Sequence, residues 1–262
     1  MSGAPYRLDG RVAFISGAAG HLSREMAYAL GEAGASLILN GRNADRLAAF
    51  ACDLKAADIV ADVAAFDMMD TSAVRAFFAA HSHIDILINN AVTMTPKAFD
   101  AASPEDFAST YASVVTAAFE AARAAHPALA RAAAERGDAA IVNIATMYAS
   151  VAPDARIYNT AAQMSPPHYG AAKAGLVQLT RHLAAEFGPQ GVRVNALCPG
   201  PFPRAEIKSA DPEFAARLAG RTMLGRIGAA QEIRGPILFL SSPASSYVTG
   251  AVLAADGGWT AW

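Results

Sequence analysis

Tyr169 and Lys173 stand four residues apart in Tyr169-Gly-Ala-Ala-Lys173. On a helix that spacing puts the phenol and the ammonium on one face. A phenol titrates near about 10 and is a poor base at neutral pH, but a cation a few ångströms away favours its phenolate and lowers its pKa. Such a pair can exchange a proton with a hydroxyl or carbonyl presented to it. Taken alone, it reads more readily as an ordinary helix with one Tyr and one Lys. A second segment, Ser16-Gly-Ala-Ala-Gly-His-Leu-Ser23, lies between a β-rich run and a helical pattern. Gly17 and Gly20 would let the backbone approach a pyrophosphate. The helix start, with Ala19, His21 and Leu22 in the same turn, would offer free N–H groups and the positive end of a dipole. A tight turn with no ligand is the alternative reading of this stretch. About 20 residues on, where an acidic side chain would bind the ribose 2′-hydroxyl of NAD, the chain reads Leu39-Asn-Gly-Arg-Asn43. Arg42 can grip a 2′-phosphate and no carboxylate repels one, so these residues favour NADP(H) over NAD(H); Arg42 as a solvated surface charge is the alternative.

These groups need a scaffold that brings three distant segments together. Short β-rich runs at 12–16, 36–39, 59–64, 84–89, 140–144, 192–197 and 251–254 alternate with helical patterns. The first helix carries Leu22, Met26, Leu30 and Ala33 on one face; others follow at 44–56, 72–80, 104–134, 168–187 and 231–241. The strands are near-continuous apolar runs, as expected where helices cover both faces of a parallel sheet. The pattern predicts one α/β domain over 1–262, a Rossmann-type doubly wound parallel sheet of about seven strands with helices on both faces. Two irregular stretches, 145–167 and 198–222, follow strands directly, at the carboxyl edge where such sheets bind ligands.

Composition excludes several classes. With 21 Lys and Arg against 23 Asp and Glu, the net charge of −2 gives no electrostatic reason to expect nucleic acid or an anionic membrane. Charged residues make up 17% and hydrophobic ones 53%, which excludes disorder. Alanine, 64 of 262 residues, accounts for the positive mean hydropathy, and no run approaches the roughly 18 apolar residues of a spanning helix. Residues 1–7 have no apolar core that could act as a secretory signal, and Cys52 and Cys198 are too few for a disulfide framework. The histidines, His126 and His182 among them, show no metal-ligand spacing. The expectation is a cytoplasmic chain without a metal.

The glycine turn, Asn89-Asn-Ala91 after a strand, Tyr169-x-x-x-Lys173, Arg193-Val-Asn-Ala-Leu-Cys-Pro-Gly200 and Asp256-Gly-Gly258 occur in an order that resembles the short-chain dehydrogenase/reductase superfamily. Leu224-Gly-Arg-Ile-Gly228 and Tyr247-Val-Thr-Gly250 also look like family features, and the resemblance runs from about residue 8 to 262. It implies hydride transfer between a nicotinamide and a carbonyl or secondary alcohol. By position, Tyr169 would be the proton donor and acceptor, Lys173 would lower its pKa and hold the nicotinamide ribose, and Thr146 would stand for the family's catalytic serine. Asp67 and Met68 match residues near the adenine, Asn90 and Ala91 those near the adenosine ribose, and Pro199, Gly200 and Phe202 the segment beside the nicotinamide.

The chain departs from the family pattern at four places. His21 and Ser23 stand where motif glycines are usual, Val92 ends the Asn-Asn-Ala motif, Thr146 replaces serine, and Val114 takes the place of a relay asparagine. Water or Ser113 would then have to connect Lys173 to solvent. A nucleotide-binding homologue without turnover is the alternative from another functional class. Between Thr146 and Tyr169 the chain is about ten residues longer than the usual family spacing, an insertion a loop accommodates at small entropic cost. Tyr148, Arg156, Tyr158, Asn159, Gln163 and Pro166-Pro167 lie in it and suggest a polar substrate such as a sugar, polyol or hydroxy acid, similar to family members acting on sugars and glycans. Phe202, Ile207, Phe214, Leu218 and Met223 would instead suit a ketone, steroid or 3-oxoacyl chain. Small residues at Ala117, Ala121, Ala124 and Ala125 suit helix packing between subunits, and the family resemblance implies a homotetramer, with a dimer left open.

Overall fold

The structure, a computed structural model, describes residues 5–262; the first four of the N-terminal residues read for a secretory signal lie outside them. All seven expected strands form: β1 (Val12–Ile15), β2 (Ser36–Gly41), β3 (Ala61–Ala65), β4 (Ile86–Asn89), β5 (Ala139–Ile144), β6 (Val192–Pro199) and β7 (Val252–Ala255). They make one parallel sheet in the order β3-β2-β1-β4-β5-β6-β7. The chain runs outward from β1 to β3, then returns to place β4 on the other side of β1. At that reversal the loops after β1 and β4 part, leaving a crevice at the carboxyl ends of the strands.

The pleat sends successive side chains to opposite faces. Ala13, Ile15, Leu37 and Leu39 pack toward α1 (His21–Glu32), α2 (Ala44–Lys55) and α9 (Arg234–Ser241) through Met26, Leu30, Leu47 and Ile237. Phe14, Ile38, Leu87 and Ile141 pack toward α3 (Thr71–Ala80), α5 (Ala117–Arg136) and α6 (Pro167–Phe187) through Val74, Ala121, Leu129 and Leu183. Each Leu, Ile, Val, Phe or Met among them contributes roughly 1.5–3 kcal/mol on burial. Asn43 caps α2 by accepting from Arg46 N, Asp70 caps α3, and Ser103 with Asp106 forms a capping box on α4 (Pro104–Tyr111).

Three expectations change. The single helix expected over 104–134 is α4 and α5 joined by a π turn at Ala112–Thr116; one widened turn leaves the apolar stripe nearly in phase, so periodicity misses it. The irregular stretch 198–222 contains α7 (Ala205–Ala210) and α8 (Pro212–Gly220), whose start was readable: Asp211 caps α8 and Pro212 opens it. Ala117, Ala121 and Ala125 are buried against the chain's own sheet, so they are core and not a subunit-packing face. Exposed on α4 and α5 are Phe107, Tyr111 and Phe119 instead. Among the described residues no helix is long and apolar enough to cross a membrane.

Candidate active site

The crevice holds two adjoining chambers, and every residue singled out for the site lines one or both. The first, about 300 Å³, is lined by Gly17, Ala19, Gly20, Arg42, Asp67, Met68 and Ala91. The second, about 460 Å³, takes in His21, Leu22, Asn90, Thr146, Tyr169, Lys173, Pro199, Gly200 and Phe202, together with Gly17, Gly20 and Ala91.

The loops after β1 and β4 build the floor. Gly17 has a φ of +63°, and a Cβ there would sit 3.0 Å from Ala91 Cα, so the backbone approach needs glycine. Ser23, at a usual glycine position, is buried and donates its hydroxyl to Gly17 O at 2.7 Å, closing the turn from inside. Asn90 Nδ2 donates to Ser16 O and Gly17 O at 3.0 and 3.2 Å, while Ser16 Oγ accepts from the backbone of Asn90 and Ala91. Asn90 therefore holds the turn with its side chain. At the far end of the first chamber Arg42 lies 3.9 Å from Asp67 in an exposed pair worth roughly 0–1 kcal/mol. Sequence reading missed Arg46, which lines the same chamber and donates to Ala19 O at 3.2 Å. Its place four residues after Arg42, across the start of α2, was the available signal. A cradle that excludes a Cβ, flanked by two guanidiniums, fits a phosphorylated nucleotide.

The second chamber is built on α6 and the end of β5. Lys173 is buried and donates from Nζ to Ile144 O at 2.5 Å, with Nζ 5.8 Å from the Tyr169 ring centroid. Desolvation pulls its pKa down to about 8, so it remains largely protonated at neutral pH. Burial pushes Tyr169 above its ordinary value, and the Thr146 hydroxyl opposes that rise. The lowered phenol expected from the Tyr–Lys spacing is thus not what this arrangement produces: the ammonium donates to the Ile144 carbonyl, and burial sets the direction of the shift at Tyr169. Burial likewise pushes the Cys198 thiol up.

A buried hydrogen-bond chain sets where α6 sits. Asn89 Nδ2 donates to Asn143 Oδ1 at 2.8 Å, Asn143 Nδ2 to Thr180 Oγ1 at 2.9 Å, and Thr180 Oγ1 to Leu176 O at 2.8 Å. Asn143 and Thr180 were not read as site residues; the signal was an amide inside an otherwise apolar strand. Gly170 lets the first turn of α6 lie against Tyr148, since a Cβ would come 3.0 Å from Tyr148 O. Val114 packs on Ala172 and Leu176. Ser113 does not reach toward Lys173 as a relay: its hydroxyl lies 3.0 Å from Thr93 O and 3.1 Å from Thr110 O, and accepts from Thr93 N at 3.2 Å.

The insertion is a built wall of three 3₁₀ turns, Met147–Ala149, Ala155–Ile157 and Ala161–Gln163. Arg217 on α8 donates to Ile157 O at 2.6 Å, and Asn159 Nδ2 to Asp211 Oδ2 at 2.8 Å. Ile157, Leu218, Phe214 and Trp259 pack beneath it, so Phe214 and Leu218 hold the wall and do not line a free apolar pocket. Arg156 pairs with Asp154, and Gln163 accepts from Asn159 N. That leaves the hydrogen-bonded phenols of Tyr148 and Tyr158 as its less committed polar groups. Burial raises the pKa of Tyr148, and nearby Tyr169 adds to the rise.

A family model described as enoyl-(acyl carrier protein) reductase matches residues 17–260. The chain is 38% identical to galactitol 2-dehydrogenase (L-tagatose-forming) of Cereibacter sphaeroides over 98% of both sequences. It is 35% identical to gluconate 5-dehydrogenase of Gluconobacter oxydans (strain 621H), over 97% of this chain and 96% of that one. The structure superposes with a TM-score of 0.84 on the gluconate 5-dehydrogenase of Burkholderia cenocepacia J2315 in complex with NADP and tartrate, at 33% identity and 98% coverage of each chain. Fold, motif order and these likenesses agree: the chain belongs to the short-chain dehydrogenase/reductase superfamily and is an oxidoreductase.

Proposed function

We propose that the protein interconverts a secondary alcohol and a ketone on a small polyhydroxylated substrate, a sugar, polyol or sugar acid, with NADP(H) preferred. The observation that carries the reading is the meeting of Thr146, Tyr169 and Lys173 in the chamber that adjoins the glycine cradle. The dehydrogenases of galactitol and gluconate among its relatives support the substrate class. Gly17, Ala19, Gly20, His21, Leu22, Asn90, Ala91, Pro199, Gly200 and Phe202 form the dinucleotide trough, with Asp67 and Met68 at its adenine end and Arg42 toward the 2′-phosphate. Bound NADP(H) supplies the hydride donor or acceptor.

The chain's own residues handle the proton. In reduction the Tyr169 phenol gives its proton to the carbonyl oxygen and is left as a phenolate; in the oxidative direction that phenolate takes the proton of the substrate hydroxyl, which Thr146 Oγ1 also holds. Lys173 keeps a positive charge beneath the site. Tyr148, bonded to Tyr158 and close to Tyr169, is the polar group of the wall that stands nearest for the substrate's further hydroxyls. The whole chain acts as one dinucleotide-binding and catalytic domain, and its unpaired Cys52 and Cys198 support a cytoplasmic setting. The exposed Phe107, Tyr111 and Phe119 support a homotetramer in which this face is covered.

The test is consumption of NADPH with a panel of ketoses, keto-sugar acids and simple ketones, repeated with Tyr169→Phe. Polyhydroxylated ketones should be reduced best, and the substitution should cut turnover roughly 10²–10⁴-fold without changing NADPH binding. Turnover that survives Tyr169→Phe overturns the proton assignment. No turnover in either protein, with NADPH still bound, favours a nucleotide-binding homologue that lost its relay at Val114.

A further inference from the structure

Five residues line both chambers: Gly17, Gly20, Ala91, Val92 and Arg204. Arg204 is the one charged side chain among them. A dinucleotide consists of two nucleosides joined by a pyrophosphate. With one nucleoside in each chamber, the doubly charged link passes through what the chambers share. We propose that Arg204 clamps that pyrophosphate against the Gly17–Gly20 turn, an inference that rests on the dinucleotide reading above.

The segment that leads to Arg204 is anchored at Gly200, Pro201 and Phe202. Pro199, Pro201 and Pro203 each fix φ. Gly200 N donates to Ala255 O at 3.0 Å, and Gly228 N to Pro201 O at 3.0 Å. Gly200 is pressed so close to β7 that a Cβ would lie 2.5 Å from Asp256 Cα, and the Phe202 ring covers Gly228. Arg204 thus leaves a pinned strut at the mouth of the crevice, and among the described residues no carboxylate lies within ion-pair distance of it. A guanidinium placed so loses little order on gripping two phosphate oxygens with its planar fork. Arg42 and Arg46 line only the first chamber, so the 2′-phosphate and the pyrophosphate have separate cations.

Calorimetric titration of wild type, Arg204→Gln and Arg42→Gln with adenosine 2′-monophosphate and with 2′-phospho-ADP-ribose separates these roles. Arg204→Gln should weaken 2′-phospho-ADP-ribose roughly 10- to 100-fold and leave the monophosphate unchanged, the loss expected for a charge-assisted pair. Arg42→Gln should weaken both ligands. Arg204→Lys should fall between, since it keeps the charge and loses the fork. Arg204 is exposed, so melting temperature should hold in each variant and bear out that binding alone changed. Equal affinity of Arg204→Gln and wild type for 2′-phospho-ADP-ribose, or an equal loss for both ligands, overturns the clamp. Wild type that binds neither ligand overturns instead the dinucleotide reading beneath it.

Discussion

Lys173 is a cation buried almost completely at the edge of the second chamber, and the cost should be measurable. Its pKa falls from 10.5 to about 8 on burial. Between those values the unfolded chain binds a proton that the folded chain does not, so stability rises with pH across the window and the penalty is complete below about 8. The difference in pKa corresponds to about 3 kcal/mol. Lys173→Met removes the titrating group while keeping a similar length and apolar stem. At neutral pH the variant escapes the desolvation penalty but also loses the bond to Ile144 O, roughly 1.5–3 kcal/mol for a charged donor, so the two terms nearly cancel there. The pH dependence is the clean observable. Urea unfolding, followed by the fluorescence of buried Trp259, should show wild type gaining about 2–3 kcal/mol on the variant between about pH 7 and about pH 10. A gap that stays flat over that range would refute the reasoning, because Lys173 would then not titrate in the window that burial assigns to it.

Two further outcomes follow from the cradle. Gly17→Ala must place a side chain at a φ of +63° and 3.0 Å from Ala91 Cα, so it should cost about 1–2 kcal/mol in urea unfolding and weaken NADPH binding in a fluorescence titration. Arg42→Ala should weaken NADPH about 10- to 100-fold while NADH affinity holds, read by competition of the two cofactors; NADH bound better than NADPH by the wild type would defeat the role given to Arg42.

Much of the architecture was legible in the residues. Seven apolar runs separated by helical patterns dictated seven parallel strands, because strands covered on both faces have no polar side to show. The starts expected at 44, 72 and 104 fall within a residue of α2, α3 and α4, which Asn43, Asp70 and Ser103 cap. A boundary was not legible where one widened turn kept the apolar stripe almost in phase, as at Ala112–Thr116. Spacing also placed Tyr169 and Lys173 on one helical face, and the residues proposed from the glycine turn, the Arg42 position and the motif order all line the crevice.

What spacing could not decide is what each polar group touches once the chain closes. Lys173 turns to the Ile144 carbonyl and not simply to Tyr169, since a buried ammonium takes the acceptor that the neighbouring strand offers. Ser113 is tied to the backbone of Thr93 and Thr110, and Asn90 to the turn after β1. The alanines of α5 face the sheet, because a helix that must lie close needs small side chains there. Arg46 and Arg204 join the crevice from elements far apart in the chain. Local sequence specifies which groups exist and which face of an element they share; desolvation and hydrogen-bond pairing between distant segments, set only on folding, assign their partners and their charge.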